Sequence, residues 1–259
     1  MPLIDTAFAE DIGTLVLNDP DRRNVLSHAL IDDVCQALDE MQARKARALV
    51  LRALPGSRVW SAGYDIDELP NAGRDPLAWG DSLRLLVRAI QGFPAPVLAL
   101  IEGGVWGGAC ELALACDILV ATPTATFAIT PAKLGIPYNF TGLLTLANTV
   151  PLAVVKEMLF TAQPIPAAQA LNLGMINHIK PAEEIEAFVY GLARRIAANA
   201  PLSIAVMKEE LRLLAGTQTL SPDLFERVQT LRRAVYDSAD YQEGLTAFRE
   251  KRKPSFCGR

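Results

Sequence analysis

The sequence is poor in the residues that build metal and redox centres. Among its 259 residues are only two histidines and four cysteines. These are His28 and His178, and Cys35, Cys110, Cys116 and Cys257. The histidines do not have the spacing of a His-based metal site, and the cysteines have no CxxC spacing and stand mostly among apolar neighbours. We therefore predict no metal centre and no disulfide framework.

Basic runs and long apolar runs are also absent. The formal net charge is −4, and no stretch of lysine and arginine suggests a nucleic-acid surface. No apolar run is long enough to span a bilayer, and the first residues lack the charged-then-apolar pattern of a signal peptide. We expect a cytoplasmic protein that binds neither nucleic acid nor membrane.

Several nucleotide and nucleophile motifs are missing as well. The chain contains neither GxGxxG nor a P-loop, which disfavours nucleotide folds of those types. It also lacks the GxSxG elbow of a serine hydrolase. The composition, with 51% hydrophobic and 21% charged residues, is instead typical of a globular protein with a large core.

What the sequence does contain is a glycine-rich turn between a strand pattern and a helix pattern. Residues 96–101 read as a buried strand, 109–116 as a helix and 118–121 as a second strand. Gly107 and Gly108 stand where the helix begins, and Glu111 lies in its first turn. Because the first amides of a helix have no intrahelical partner, this site suits an oxygen that becomes anionic. A turn needed only for packing is compatible with the same pattern.

The order of predicted elements indicates an α/β fold. Strand, helix and strand patterns follow one another over residues 12–18, 27–43 and 47–54, and the order repeats in the central stretch. Residues 67–75 read as a loop, 77–93 as an amphipathic helix and 130–139 as a second loop. Beyond residue 200 only helical patterns remain. We predict an α/β core at 1–199 and a C-terminal helical subdomain at 200–259.

A second glycine-containing stretch, residues 61–65, can cooperate with the first. If both meet at one pocket, the backbone amides of Tyr64 and Gly108 form a two-donor hole for a carbonyl oxygen. Such donors stabilise an oxyanion or enolate, and each is worth about 3–4 kcal/mol in other enzymes.

These stretches resemble the crotonase (enoyl-CoA hydratase/isomerase) superfamily over nearly the whole chain. The matching pieces are residues 61–66, 101–117, 127–137, 170–177 and 250–256. The resemblance implies a spiral core of ββα units and C-terminal helices that assemble a homotrimer or a dimer of trimers. It also implies an acyl-CoA thioester held by the Tyr64 and Gly108 amides, with coenzyme A as part of the substrate and no separate cofactor. The implied substrate- and CoA-binding residues are Ala62, Gly63, Tyr64, Asp65, Ile66, Gly108, Thr130 and Lys251.

One departure from the hydratase pattern narrows the activity. Hydratases use two glutamates, and Glu111 matches the first, but Pro131 stands at the position of the second. Since proline cannot transfer a proton, the hydration pair is broken. With Tyr138 nearby, the chain is instead similar to the branch that decarboxylates methylmalonyl-CoA without biotin or metal. In that branch the matching tyrosine holds the substrate carboxylate out of the thioester plane. The implied catalytic residues are Tyr138, Glu111, Tyr64 and Gly108.

Several alternatives stay open at this point. Glu111 either delivers a proton to the enolate or is only a carboxylate at a helix start. Tyr64 stands where the decarboxylating branch has a histidine, which keeps the amide but changes the side chain. A hydratase or isomerase, or a non-catalytic acyl-CoA-binding scaffold, is the alternative function. The sequence does not separate methylmalonyl-CoA from malonyl- or ethylmalonyl-CoA, because one methylene changes binding by only ~1–3 kcal/mol.

Overall fold

Two β-sheets form the framework of the computed structural model, which describes residues 2–69, 80–215 and 222–258. The larger sheet has six strands in the order β1-β2-β3-β5-β7-β10, and the smaller has four in the order β4-β6-β8-β9. The strands are β1 Ile4–Ala9, β2 Ile12–Leu17, β3 Ala48–Ala53, β4 Val59–Ser61, β5 Val97–Ile101, β6 Gly104–Trp106, β7 Ile118–Ala121, β8 Thr126–Ala128, β9 Ile165–Pro166 and β10 His178–Ile179. All pairings are parallel except β1 with β2 and β8 with β9.

Helices cover the sheets and make up the C-terminal part. They are α1 His28–Ala43, α2 Ser82–Gly92, α3 Gly108–Ala115, α4 Phe140–Thr149, α5 Leu152–Thr161, α6 Ala167–Asn172, α7 Ala182–Ala197, α8 Pro201–Ala215, α9 Pro222–Tyr236 and α10 Ala239–Arg249. Short 3-10 helices occupy Ile66–Glu68 and Pro131–Leu134. The predicted α/β class is confirmed.

Local sequence explains where the elements begin and why they are buried. Every residue of β3 is buried, as expected for a parallel strand covered on both faces. Helix α1 begins directly after Ser27, because the Ser27 hydroxyl caps it by accepting a hydrogen bond from the Leu30 amide at 3.3 Å. Helix α2 begins at Ser82 because Asp81 caps it through the Leu83 and Arg84 amides. The predicted earlier start of this helix, and residues 70–75 of the predicted loop, lie outside the described residues.

Three local predictions were wrong. The glycine-rich turn contains strand β6, which lies between β4 and β8 and pairs with both, so its three residues are held by neighbours that are distant in sequence. The first strand, β1, was missed because its polar residues mark an exposed edge rather than a buried run. The predicted loop at 130–139 holds a 3-10 helix, started by Pro131 and ended by Gly135 in the left-handed conformation.

After residue 200 the described chain forms helices α8, α9 and α10, and the described residues beyond Arg249 are not helical. No helix in the described part of the chain is long and apolar enough to cross a membrane. A cytoplasmic location, and the division of the chain between residues 199 and 200, stay predictions.

Candidate active site

A cavity of about 370 Å³ opens between the two sheets' connecting segments and the last helix. It is lined by the chain after β2, the chain after β4, the start of α3 and the segment between β8 and α4. Its lining residues include Ala62, Tyr64, Asp65, Ile66, Gly108, Glu111, Thr130, Pro131, Tyr138, Asn139 and Phe248. The cavity therefore brings together residues from distant parts of the chain.

Two backbone amides lie close together at this cavity. A side-chain carbon placed on Gly63 would lie 3.0 Å from the Gly108 nitrogen, and one on Gly108 would lie 3.4 Å from the Tyr64 nitrogen. Among the described residues, neither the Tyr64 nor the Gly108 amide donates a hydrogen bond to another group. Two unpaired donors side by side can both bind one oxygen, and they favour that oxygen when it is negative.

The local pairing explains why these two amides are unpaired. Leu26 forms an isolated parallel bridge with Tyr64, in which it bonds the Gly63 carbonyl at 2.8 Å and the Asp65 amide at 3.3 Å. In a parallel bridge of this kind, the hydrogen bonds to Leu26 are made by the residues before and after Tyr64. The Tyr64 amide itself therefore points away from Leu26. Gly108 is the first residue of α3, so its amide has no acceptor within the helix.

A left-handed glycine makes the turn into α3. Gly107 has φ +55° and donates its amide to the Ala128 carbonyl at 2.8 Å, which fixes the approach to Gly108. A side-chain carbon on Gly107 would lie 3.3 Å from the Thr130 hydroxyl oxygen, so Thr130 stands directly beside the turn. The two predicted binding residues Gly108 and Thr130 are thus brought to the same wall of the cavity.

The Glu111 carboxylate is buried and held by α4. Glu111 is only 2% exposed. Asn139 donates its side-chain amide to Oε2 of Glu111, and the Thr141 hydroxyl donates to Oε1 at 3.4 Å. Burial raises the pKa of Glu111 above its ordinary value, although the Asn139 hydrogen bond opposes the shift. A carboxyl group of this kind remains protonated to higher pH than an exposed glutamate.

Tyr138 contributes a buried hydroxyl to the same cavity. Its oxygen has no hydrogen-bond partner among the described residues. Burial raises the pKa of Tyr138 well above its ordinary value, and the nearby Glu111 adds to the shift. The phenol therefore keeps its proton, and a buried phenol without a partner is unusual, because an unmade hydrogen bond costs about 1–3 kcal/mol. It can donate to an oxygen of a bound molecule.

The Tyr64 side chain is tied down away from the two amides. Its hydroxyl lies 3.3 Å from both His28 Nε2 and Asp81 Oδ2. His28 also lies 2.8 Å from Glu68 through Nδ1. Burial raises the pKa of Tyr64, so its hydroxyl stays neutral. Neither His28 nor Asp81 is among the described residues that line the cavity, so the tyrosine supplies its amide and ring there rather than its hydroxyl.

The remaining predicted binding residues divide into those that line the cavity and two that are not among the described lining residues. Asp65 lines the cavity, but its carboxylate pairs with Arg22 at 2.6 Å. Ala62 and Ile66 also line it, whereas Gly63 does not, although it lies next to the Gly108 amide. Lys251 follows α10 and is not among the described residues that line the cavity, whereas Phe248 of the same helix is. A contact between Lys251 and coenzyme A stays a prediction.

Asn139 lies in the site, although no role was predicted for it from the sequence. It both caps α4, accepting the Gly142 amide at 2.6 Å, and donates to Glu111. An asparagine directly before a helix is a recognisable cap signal, but the second contact joins residues 28 apart and has no local signature.

The amino-acid sequence is similar to a known family and to several of its members. The enoyl-CoA hydratase/isomerase family matches residues 7–259. Methylmalonyl-CoA decarboxylase of Escherichia coli (strain K12) is 49% identical over 255 residues, covering 98% of this chain and 98% of its own. A putative enoyl-CoA hydratase of Thermus thermophilus is 32% identical and covers 95% of this chain and 97% of its own.

Solved structures agree with the sequence relatives. A methylmalonyl-CoA decarboxylase in complex with 2-nitronate-propionyl-CoA superposes with a TM-score of 0.97 at 47% identity, covering 99% of both chains. An enoyl-CoA hydratase from Mycobacterium avium subsp. paratuberculosis reaches a TM-score of 0.81 at 26% identity, with 98% of both chains covered. By family match, relatives and fold, the chain belongs to the enoyl-CoA hydratase/isomerase (crotonase) family.

Proposed function

We propose that this protein decarboxylates methylmalonyl-CoA to propionyl-CoA without biotin or a metal ion. The observation that carries the proposal is a buried Tyr138 hydroxyl in the same cavity as the Tyr64 and Gly108 amides, all three without a hydrogen-bond partner in the described part of the chain. The similarity to methylmalonyl-CoA decarboxylase supports the choice of substrate.

The chemistry requires two kinds of donor, and the cavity has both. The Tyr64 and Gly108 amides hold the thioester oxygen, while the Tyr138 hydroxyl donates to the carboxylate and turns it out of the thioester plane. In that orientation the electron pair of the breaking C–CO₂ bond flows into the carbonyl, which leaves CO₂ and an enolate. The amides stabilise the enolate oxygen, and protonation of its carbon completes propionyl-CoA.

Hydration is the weaker candidate on the same geometry. Pro131 lines the cavity at the position where hydratases carry their second glutamate. Glu111 and Asp65 are the carboxylates among the described lining residues, and Asp65 is paired with Arg22. A pair of available carboxylates for activating water is therefore lacking in this part of the site.

We expect the purified protein to convert methylmalonyl-CoA to propionyl-CoA and CO₂, and to leave crotonyl-CoA unhydrated. The assay is chromatographic detection of the acyl-CoA products, with and without a chelator and with avidin to block biotin. Malonyl- and ethylmalonyl-CoA serve as competing substrates. Hydration of crotonyl-CoA without decarboxylation would favour the hydratase, and acyl-CoA binding without turnover would favour the scaffold.

We propose that the protonated, neutral carboxyl group of Glu111 donates the proton to the enolate. This role predicts how kcat depends on pH. Because burial raises the pKa of Glu111, kcat should be full at low pH and fall as the pH rises through that raised pKa. Glu111→Gln should lower kcat by about 10-fold, below the usual range for a general acid because water also protonates the enolate. It should also abolish the alkaline fall. An unchanged pH profile in Glu111→Gln returns this residue to a structural role.

We also propose that the chain assembles as a trimer or a dimer of trimers. Helix α8 has no buried residue within the single chain, and Leu202, Leu211 and Leu214 are each more than half exposed. An apolar face of this kind is typical of a subunit interface. Sedimentation equilibrium should give three or six times the 28.0 kDa chain mass. A 28.0 kDa species at micromolar concentration contradicts the proposal.

A further inference from the structure

A buried arginine of the C-terminal helices holds the backbone on which Tyr138 is mounted. Arg232 of α9 is 6% exposed. Its Nη1 donates to the Tyr138 carbonyl at 2.5 Å and to the Pro137 carbonyl at 3.3 Å. Arg232 is 94 positions from Tyr138 and 95 from Pro137 in sequence, so these contacts link α9 directly to the wall of the cavity.

Arg232 reaches this segment from outside the substrate cavity. It is not among the described residues that line that cavity, but it lines a separate hollow together with Pro137, Tyr138 and Leu231. The two carbonyls that it binds belong to residues 137 and 138, so these contacts connect it to the cavity wall through the backbone.

Tyr138 and its neighbour Asn139 have further contacts on the α4 side of the segment. The ring packs on Gly142, where a side-chain carbon would lie 2.7 Å from Cε1 of Tyr138. The next residue, Asn139, is fixed by capping α4 and by donating to Glu111. Gly142 and Asn139 thus hold one side of the segment, and Arg232 holds the carbonyl side.

We propose that Arg232 is a positioning residue for the decarboxylation, acting through Tyr138; the inference rests on the carboxylate-holding role proposed for that hydroxyl. A charged donor to a carbonyl makes a short, directional bond, and displacement of a reacting group by about 1 Å can cost on the order of 100-fold in rate. The C-terminal helices thereby set the geometry of the active site.

A double-mutant cycle tests the proposal with methylmalonyl-CoA as the substrate. Arg232→Met should lower kcat/KM by about 10-fold, mainly through kcat, and Arg232→Lys should recover part of the loss because it retains one charged donor. In a Tyr138→Phe background, Arg232→Met should cost less than about 2-fold, because the hydroxyl that it positions is already absent.

The control is Lys208→Met, which removes a partly buried cation that anchors another C-terminal helix. Lys208 of α8 donates to the carbonyls of Ile90 and Ala95 at 3.2 and 3.1 Å and pairs with Asp117 at 2.7 Å. This variant should lower the Tm but leave kcat/KM of the folded protein unchanged in both backgrounds. Circular dichroism melts set an assay temperature at which every variant is folded.

The outcomes separate this inference from the proposed function. If Tyr138→Phe retains full activity, the proposed role of the hydroxyl fails, and with it any positioning by Arg232. If Tyr138→Phe loses activity but Arg232→Met costs the same factor in both backgrounds, Arg232 does not act through Tyr138 and only this inference is overturned. Should Arg232→Met not fold, Arg232→Lys carries the same cycle with a smaller factor.

Discussion

Gly63→Ala is expected to lower kcat/KM by about 100- to 1000-fold, the range seen when one oxyanion donor is lost. Gly63 has φ +91°, and an added side-chain carbon would lie 2.4 Å from the Trp106 carbonyl oxygen and 3.0 Å from the Gly108 nitrogen. Both neighbours are backbone atoms, so the two amides must move apart. Steady-state kinetics with methylmalonyl-CoA measures the loss, which should fall mainly on kcat.

Gly56→Ala is the matched control for this substitution. Gly56 also has a left-handed φ, +75°, but nothing lies within 4 Å of an added side-chain carbon. Both variants therefore carry the cost of a left-handed alanine, about 1–3 kcal/mol, and only Gly63→Ala disturbs the amides. Equal kinetic losses in the two variants would show that the spacing of the Tyr64 and Gly108 amides is not what matters.

Tyr138→Phe is expected to lower kcat/KM by about 10- to 150-fold without destabilising the protein. A charge-assisted hydrogen bond to the carboxylate is worth about 1.5–3 kcal/mol, and 1.36 kcal/mol corresponds to a factor of ten in rate. Part of the loss should appear in KM, because the hydroxyl also binds the ground-state carboxylate. Since the hydroxyl has no partner among the described residues, its removal should leave the Tm unchanged or raise it.

Tyr190→Phe serves as the control, because it should lower stability without changing the kinetics. The Tyr190 hydroxyl lies 2.7 Å from the Thr14 hydroxyl, on the side of the larger sheet covered by α7. Its removal should cost about 0.5–1.5 kcal/mol of stability and leave kinetics unchanged. A Tyr138→Phe enzyme with the kcat/KM of the unmodified protein would remove the carboxylate contact from the mechanism.

Much of the fold could be predicted from the sequence because its signals are local. Parallel strands such as β3 and β5 are buried on both faces, so their apolar residues are continuous. Ser27 marks the start of α1 by a side-chain cap. Edge strand β1 and the short strand β6 lack such signals, because the first is largely exposed and the second is stabilised by its two neighbouring strands.

The candidate site was predictable where a motif carried it and not where long-range contacts did. Gly107 and Gly108 predict a helix start with unpaired amides, and the family resemblance indicated Tyr64, Glu111 and Tyr138. Asn139 as the partner of Glu111 was not predicted. The contact of Arg232 with the Tyr138 carbonyl was not predicted either, because nothing in the sequence of α9 indicates which carbonyls its side chain will reach.

The sequence by itself determined the chemical groups of this protein: two glycine turns, one carboxylate at a helix start and a proline where hydration would need a second carboxylate. These are local properties, set by residue type and by spacing within a few positions of the chain. The tertiary structure alone decided that the Tyr64 and Gly108 amides lie close together and that the Tyr138 hydroxyl is buried without a partner among the described residues. It also decided that Arg232 binds the carbonyl of that tyrosine. The reason is that distances between residues far apart in sequence follow from packing of sheets and helices, which no short pattern encodes.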